Sequence, residues 1–275
     1  MFRNFLVTAI RTIIRDKTFS LINILGFSIG IACTVLILFW VQDELSYDQY
    51  HENKERIYRV LSRVPTGEEY LEAGVTPAAL APMLEESYPE IEMATRFKSM
   101  GSYTLVRGEK RFRERHCGIA ESKLFSIFTF PFIEGNPESC LDGPNSIVLT
   151  ESLARKYFAE QSAMGEEIEI PGMGLFKVTA VIEDVSHCHF QFNYLIPFEW
   201  AEFFYDENIE ERGPFNYTTY ILTKEGVNVS ELEKKIEPFF NMHADQNRKD
   251  NEVHSLLFLQ NLTDIYLRSD FSYDF

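Results

Sequence analysis

Cysteine is scarce in this 275-residue chain, and its spacing matches no familiar framework. The four cysteines include no Cys-x-x-Cys pair, and Cys33 lies inside a long apolar run. Only Cys117, Cys140 and Cys188 lie outside that run, so the chain can form at most one internal disulfide. A disulfide scaffold is therefore excluded, and the cysteine content does not indicate a reducing or an oxidising compartment.

The sequence also lacks the motifs of several enzyme classes. It contains no Gly-x4-Gly-Lys-[Ser/Thr] loop, so it does not bind ATP in the P-loop manner. His51 and Glu52 are not followed by the second histidine that a zinc protease motif requires at i+4. Gly26 to Gly30 matches the Gly-x-Ser-x-Gly elbow of hydrolases, but its serine lies in the apolar run. We therefore predict no catalytic residue, no cofactor and no resident metal.

Positive charge is in short supply, because 26 Lys and Arg oppose 42 Asp and Glu and give a formal net charge of -16. Clustered cations are what bind nucleic-acid phosphates, so this balance argues against a nucleic-acid partner. The densest basic run, residues 107–115, is interrupted by Glu109 and Glu114. We expect this run to be a solvated hairpin, in preference to a phosphate site.

One long segment carries no charge. Residues 19–41 form an apolar run, and a helix of this length covers about 35 Å, enough for a bilayer core of about 30 Å. A cleaved signal peptide has a shorter apolar stretch and a small-x-small site, which the end of this run lacks. A lipoprotein signal lipidated at Cys33 is disfavoured because further apolar residues follow it. We predict one transmembrane helix over residues 19–41.

The residues before this span are basic. Residues 1–17 carry a local charge of +3, which leaves -19 for the remainder as the difference from -16. Apolar residues recur among them at helical spacing, so residues 1–18 predict an amphipathic helix at the membrane surface. The positive-inside rule places the N-terminus in the cytoplasm and residues 42–275 outside. The predicted surface anchor consists of four cations: Arg3, Arg11, Arg15 and Lys17.

Within the span, Gly26 and Gly30 have the Gly-x-x-x-Gly spacing that lets two membrane helices approach closely. Glycine is also common in such helices without a packing role, and the sequence favours neither interpretation. We keep Gly26 and Gly30 as the predicted helix-packing residues.

Two strand–helix–strand patterns predict the fold of the outer part. The first covers residues 56–106, with another strand after it, and the second covers residues 216–262. Two such units pack as one sheet with two helices on one face. We therefore predict an α+β domain built from residues 42–120 and 213–275, with residues 121–212 as an inserted mixed α/β subdomain.

Residues 187–189, His-Cys-His, offer three side chains that bind soft metals. On a strand, alternate side chains point to opposite faces, so Cys188 would point away from both histidines. A closed site would need further ligands, and the candidates are His51, His116 and Cys117. We favour a structural turn over a metal site.

Two further patterns carry expectations about local structure. Ser46 and Gln49 have capping-box spacing and predict a short helix after the span. Eight aromatic residues lie between Phe190 and Tyr205. We expect them mainly in the core, with the binding of a partner or an acyl chain as the alternative.

Six stretches of the chain have the sequence of a known family. They are residues 47–53 (YDQYHEN), 56–60 (RIYRV), 88–92 (YPEIE), 130–137 (FPFIEGNP), 144–158 (PNSIVLTESLARKYF) and 176–181 (FKVTAV). These stretches resemble the MacB-like periplasmic core domain. With the preceding span, nearly the whole chain resembles an FtsX-like ABC transporter permease of the Bacteroidota type. The family's porter-like portion fits the two strand–helix–strand units, and its second portion fits the insertion.

The resemblance carries expectations about function. In that family the domain lies between the first two transmembrane helices, and a separate ATP-binding cassette ATPase subunit drives the permease. This implies an inner-membrane permease subunit, itself no enzyme, that pairs as a homodimer or heterodimer. It would couple ATPase-driven motion to export or extraction of a substrate, or to a periplasmic partner.

The family's later transmembrane helices are missing from this chain, so we expect a fragment of a longer permease. The alternative is a stand-alone anchored periplasmic binding module without transport.

Overall fold

The computed structural model describes residues 4, 7–8, 11, 14–66, 69–205, 216–239 and 256–269. The chain divides into two compact units, Met1–Ser46 and Tyr47–Phe275. The predicted domain boundaries remain a prediction.

The first unit contains one long helix, α1, over Lys17–Glu44, and none of its side chains is buried. By length and composition this helix could cross a membrane, and it includes the whole of the predicted span. Of the predicted amphipathic helix, Arg3 lies outside the described residues, whereas Arg11 and Arg15 are helical and exposed.

The predicted capping box after the helix is wrong. Residues 45–50 form turns, and no helix begins there. The hydroxyl of Ser46 donates to the carbonyl of Asp43 at 2.6 Å, and so does not cap a following helix. Asp48 has φ of 58°, a left-handed conformation that stops a helix from propagating.

The second unit is a mixed α+β fold. Its helices are α2 (Leu80–Ser87), α3 (Lys123–Ile127), α4 (Glu151–Phe158), α5 (Trp200–Tyr205), α6 (Val229–Ile236) and α7 (Leu262–Arg268). Its strands are β1 (Ile57–Thr66), β2 (Glu69–Ala73), β3 (Ile91–Arg107), β4 (Lys110–Ala120), β5 (Phe132–Gly135), β6 (Ser146–Thr150), β7 (Glu167–Ile170), β8 (Gly174–Ile182), β9 (Tyr194–Pro197), β10 (Thr218–Thr223) and β11 (Leu256–Asn261).

The two predicted strand–helix–strand units are confirmed as β1–α2–β3 and β10–α6–β11. Their strands run in the order β11-β1-β10-β3, with antiparallel neighbours. Helices α2 and α6 share one apolar cluster, in which Leu84 of α2 and Ile236 of α6 are fully buried. Both helices therefore cover the same face of the sheet, as the sequence predicted, and this arrangement is ferredoxin-like.

The sheet continues beyond β3 through β4, β9, β6, β8 and β5. The predicted hairpin over residues 107–115 is confirmed, since β3 and β4 pair antiparallel and turn at Gly108, where φ is 58°. The predicted strand, helix and hairpin of residues 145–183 are also confirmed, as β6, α4, β7 and β8.

Gly135 fixes the last strand of this sheet. Its φ of +102° suits glycine, and a Cβ at this position would lie 2.6 Å from the Thr179 carbonyl oxygen and 2.8 Å from Cα of Ala180 in β8. Gly172 has a similar φ of +91° with nothing within 4 Å of its Cβ position.

We expect Gly135→Ala to destabilise the domain much more than Gly172→Ala. Both carry the left-handed strain of about 1 kcal/mol, but only Gly135→Ala adds an overpacking cost of about 1–3 kcal/mol against backbone atoms. Thermal unfolding by circular dichroism measures the difference. Equal losses in Tm for the two variants would show that close packing of Gly135 against β8 does not contribute to the stability of the domain.

Candidate functional site

The chain enters the second unit through a short segment that is more buried than its polarity suggests. Residues 47–51, here called the junction segment, include Asp48 and His51, whose exposed fractions are 0% and 1%. The backbone N–H of Asp48 donates to the carbonyl of His187 at 2.8 Å. The left-handed turn at Asp48 thus directs its carboxylate into the domain, toward the loop between β8 and β9.

The Asp48 carboxylate is the centre of a buried polar cluster. His189, on that loop, brings its Nδ1 to 2.9 Å from Oδ1 and its backbone N–H to 3.3 Å from both carboxylate oxygens. Nε2 of His51 lies 3.6 Å from the same Oδ1. The second ring nitrogen of His189 lies 2.6 Å from the hydroxyl of Tyr220 in β10.

The hydrogen-bond partners assign the proton positions in this cluster. The backbone N–H of Thr129 donates to Nδ1 of His51 at 3.0 Å, so the proton of a neutral His51 is on Nε2, which faces Asp48. His189 donates from Nδ1 to Asp48, and its Nε2 then accepts from Tyr220. His189 is therefore satisfied as a neutral ring beside the Asp48 carboxylate.

Burial and hydrogen bonding set the pKa values here. Burial alone raises the pKa of Asp48, but the hydrogen bonds from His189, together with the polar ring of His51 3.6 Å away, outweigh it and hold that pKa below its usual range. Burial lowers the pKa of His189, and the nearby Arg59 and His51 act in the same direction against the opposing effect of Asp48. An ionised Asp48 beside a neutral His189 is therefore the stable state at neutral pH.

Phenylalanine rings enclose the cluster. The ring of Phe128 lies 5.2 Å from His51, 6.2 Å from His189 and 5.0 Å from Tyr220, centroid to centroid. Phe190 packs edge-on against His189 at 4.4 Å. These rings keep water away, so the hydrogen bonds to Asp48 act at a low local dielectric and are costly to break.

The junction segment also contacts the last described helix. The rings of Tyr47 and Tyr266 on α7 are stacked at 3.6 Å with an interplanar angle of 5°. Asn261 caps α7 by accepting from the backbone N–H of Thr263 at 3.0 Å, and its amide donates to the carbonyl of Lys54 at 3.4 Å. Residues near the two ends of the described domain therefore meet at one place.

Three side chains of the cluster have the composition of a metal site. The ligand atoms of Asp48, His51 and Cys188 lie within 4.8 Å of one another. Metal binding at Nε2 of His51 would require a proton on Nδ1, which already accepts from Thr129. Burial, and next the charge of Asp48, raises the pKa of the Cys188 thiol, which disfavours the thiolate that a metal needs. The donor set therefore favours hydrogen bonding over metal binding.

The loop of residues 187–189 is an irregular bend, as predicted, but its side chains do not alternate between two faces as they would on a strand. Cys188 and His189 are both withdrawn from solvent, because His187 adopts φ of 50° and the loop leaves the strand geometry. Of the other predicted candidate ligands, His51 joins the cluster, whereas His116 is exposed and Cys117 lies in a different apolar cluster.

Most of the predicted aromatic group is core, as expected. Phe190, Phe192, Tyr194 and Phe198 are buried and Trp200 is partly buried, whereas Phe203 is 60% exposed. The side chains of Phe204 and Tyr205, also in the predicted group, lie outside what the structure describes. The indole N–H of Trp200 donates to the carbonyl of Pro144 at 2.6 Å, which fixes the start of α5.

The site residues predicted in the first unit remain predictions. A Cβ at Gly26 or Gly30 would meet nothing within 4 Å. Arg11, Arg15 and Lys17 are exposed. Sequence reasoning missed Asp48 and Tyr220 as functional candidates. The Asp-x-x-His spacing of Asp48 and His51, directly after an apolar span, was the available signal.

We expect Tm of the protein to fall as pH is lowered from about 7.5 to about 5.5. His189 has a depressed pKa when folded, so the unfolded chain binds more protons below its ordinary pKa of 6.5 and folding loses stability there. Asp48 stays ionised across this window and contributes no slope. The groups that face His189 are Asp48, Arg59, His51 and Tyr220.

Thermal unfolding at several pH values measures this slope. His189→Gln should flatten it, whereas His116→Gln, at an exposed position, should leave it unchanged. A slope that survives His189→Gln would place the titrating group elsewhere.

We also expect Zn²⁺ not to bind the cluster. Because the geometry of His51 and the protonated thiol of Cys188 both oppose coordination, wild type and Cys188→Ala should give the same Zn²⁺ titration by calorimetry. A tight site present in wild type and lost in Cys188→Ala would contradict the proton assignment.

Comparison with known proteins bears on both the fold and the family. Residues 20–239 match the profile of the MacB-like periplasmic core domain. No curated protein matches the chain.

Three solved structures share the fold. A domain described as part of a permease from Porphyromonas gingivalis is 22% identical, with a TM-score of 0.67 over 78% of this chain and 92% of that one. The periplasmic region of MacB from Actinobacillus actinomycetemcomitans is 16% identical, with a TM-score of 0.53 over 80% and 92%. The extracellular domain of the noncanonical ABC-type transporter YknZ from Gram-positive bacteria is 11% identical, with a TM-score of 0.52 over 74% and 100%.

The profile match covers most of the chain, and the three structures confirm the α+β fold that the two strand–helix–strand units predicted. The chain therefore belongs to the family of MacB-like periplasmic core domains, which are carried by ABC transporter permeases.

Proposed function

We propose that this chain is the N-terminal part of the permease subunit of an ABC transporter in the bacterial inner membrane. Its N-terminus is cytoplasmic and residues 42–275 are periplasmic, as the charge of +3 before the apolar helix and -19 after it supports. A separate ATP-binding cassette ATPase subunit supplies the energy, and the permease acts as a homodimer or heterodimer. The domain passes the motion on to a substrate that is exported or extracted, or to a periplasmic partner.

In this proposal the domain has two portions. Residues 42–120 and 213–275 form the porter-like portion, which the strand order β11-β1-β10-β3 supports. Residues 121–212 form the inserted portion. At the membrane, Arg3, Arg11, Arg15 and Lys17 anchor the cytoplasmic side, and Gly26 and Gly30 form the face that packs on another helix.

One observation carries the coupling proposal: buried hydrogen bonds of the Asp48 cluster hold the junction segment in the domain. Asp48 follows Glu44, the last residue of α1, by four positions in sequence. Its carboxylate binds the loop of His189, and through His189 the strand β10. A displacement of the junction segment would break these buried bonds unless the loop and strand moved with it, so the cluster acts as a stiff mechanical link.

The stack of Tyr47 on Tyr266 extends this link to α7. In the proposed permease, the chain beyond the domain returns to the membrane. Motion that reaches the junction segment would therefore reach the start of that returning chain as well. The two ends of the domain would then move together and not shear past each other.

We expect nucleotide to change hydrogen exchange in residues 187–190 and 262–268 of the complex purified from its own bacterium. The exchange with ATP and vanadate should differ from that with ADP. Asp48→Asn, which removes the charge at the centre of the cluster, should reduce this difference while ATP hydrolysis continues. Mass spectrometry of peptides from both segments provides the measurement.

Two further variants make this test decisive. Tyr266→Leu breaks the ring stack but keeps apolar volume, so it reports on coupling if Asp48→Asn folds poorly. Arg155→Gln, on the exposed side of α4, should behave like wild type. The proposal fails if no ATPase subunit copurifies with the full-length gene product and hydrogen exchange is the same with either nucleotide. The chain would then be a stand-alone binding module.

A further inference from the structure

One face of strand β4 packs toward α4, and the other is exposed. Lys110, Phe112 and Glu114 turn toward α4: Nζ of Lys110 donates to the carbonyl of Lys156 at 2.7 Å, and Glu114 accepts from the hydroxyl of Tyr157 at 2.8 Å. The next residues in the alternation, Arg111 and Arg113, share the opposite face. Both are exposed.

Arg115 follows these two in the irregular step of the β3–β4 pairing, and it is exposed as well. We call Arg111, Arg113 and Arg115 the arginine stripe. Within the described part of the chain, none of the three forms an ion pair, although most other arginines there do. Three unneutralised cations are unusual in a domain with a strongly negative net charge, because many carboxylates are available to pair with them.

Among the described residues, one edge of the backbone beside the stripe also has no strand partner. Strand β9 pairs with β4 only from Cys117 to Ala120, so Lys110 to Glu114 have β3 as their sole strand partner among the described residues. Beyond that stretch, Asn193 occupies the carbonyls of Arg115 and His116. In residues 110–114, every second residue therefore presents its N–H and C=O groups along a strand edge that no other described strand occupies.

We propose that this edge of β4 binds an extended acidic segment of a partner protein by strand addition. An added antiparallel strand places its side chains about 4.5–5.5 Å from those directly opposite. Acidic residues at alternate positions would face Arg111 and Arg113. The residue between them would face Phe112, which is 44% exposed, and so would be apolar. The preferred sequence is therefore acidic–apolar–acidic, bound through main-chain hydrogen bonds with charge selecting the partner.

A simpler role for the arginines is edge protection, since charged side chains on an edge strand prevent aggregation. That role requires charge of either sign and no ligand. It predicts no affinity for an acidic strand, so the two roles are separable by binding. The inference goes beyond the proposed function, because binding is measured on the chain without any ATPase.

The probe is the fluorescein-labelled peptide Thr-Glu-Val-Glu-Val-Glu-Thr, titrated onto the full chain in nanodiscs of phosphatidylcholine. We expect fluorescence anisotropy to show binding, and hydrogen exchange to show new protection of residues 110–114. The triple variant R111Q/R113Q/R115Q should weaken binding about tenfold, as the loss of two cross-strand charge pairs and of the nearby charge of Arg115 implies. A control triple with the same charge change at other exposed positions, R155Q/K224Q/R268Q, should bind like wild type.

Three probes separate the alternatives. The same peptide with every backbone amide of its Glu-Val-Glu-Val-Glu core N-methylated keeps its charge but cannot donate to a ladder, and it should bind weakly. Equal binding of that peptide would show charge attraction without strand addition and overturn the proposal. Tighter, stripe-dependent binding of inorganic polyphosphate or of anionic vesicles would make the stripe a polyanion site and also overturn it. Absence of peptide binding at 1 mM, on the order of the weakest specific affinity expected, would leave edge protection as the role.

Discussion

The hydrogen bonds of the Asp48 carboxylate are the interaction on which the rest of this domain depends at its N-terminal end. A fully buried carboxylate is costly unless its oxygens are paired. Here Oδ1 of Asp48 lies near both His189 and His51. The requirement for those partners fixes the left-handed turn at Asp48, the bend at His187 and the ring orientations. Removing the carboxylate would leave the ring Nδ1–H and the backbone N–H of His189 without their acceptor, in a shell of phenylalanine rings.

Strand β10 connects this cluster to the ferredoxin-like sheet. Tyr220 reaches His189 with its hydroxyl, while its backbone pairs with Arg59 in β1 and with Thr95 in β3. A shift of the junction segment therefore acts on a strand that has hydrogen-bonded neighbours on both sides. A neutral His189 ring suits such a link, because a protonated His189 would gain charge in a site from which water is excluded.

Periodicity predicted the regular elements of this fold, but it could not predict the cluster. The alternation of β1 and the spacing of α6 depend on which face is apolar, and both were correct. The contact of Asp48 with His189 joins residues 141 positions apart, and no local pattern encodes such a pairing. The capping box at Ser46 failed for the same reason: tertiary hydrogen bonds to Asp48 outweigh the modest energy of a cap.

The sheet also connects the arginine stripe with the strand that carries Tyr220. In the strand order, β3 alone separates β4 from β10, which carries Tyr220. Strand β10 pairs with residues 91–97 of β3, whereas residues 110–114 of β4 pair with residues 103–107 of β3, beyond the irregular steps around Gly101. An acidic strand on the edge of β4 would therefore be connected to β10 along the length of β3. Sliding one strand past its neighbour breaks several hydrogen bonds at once, so a displacement of β10 would act on β3 and, through the β3–β4 pairing, on the bound strand. Coupling through a sheet of this kind requires no moving loop; it requires only that both ends of the ladder are firmly bonded.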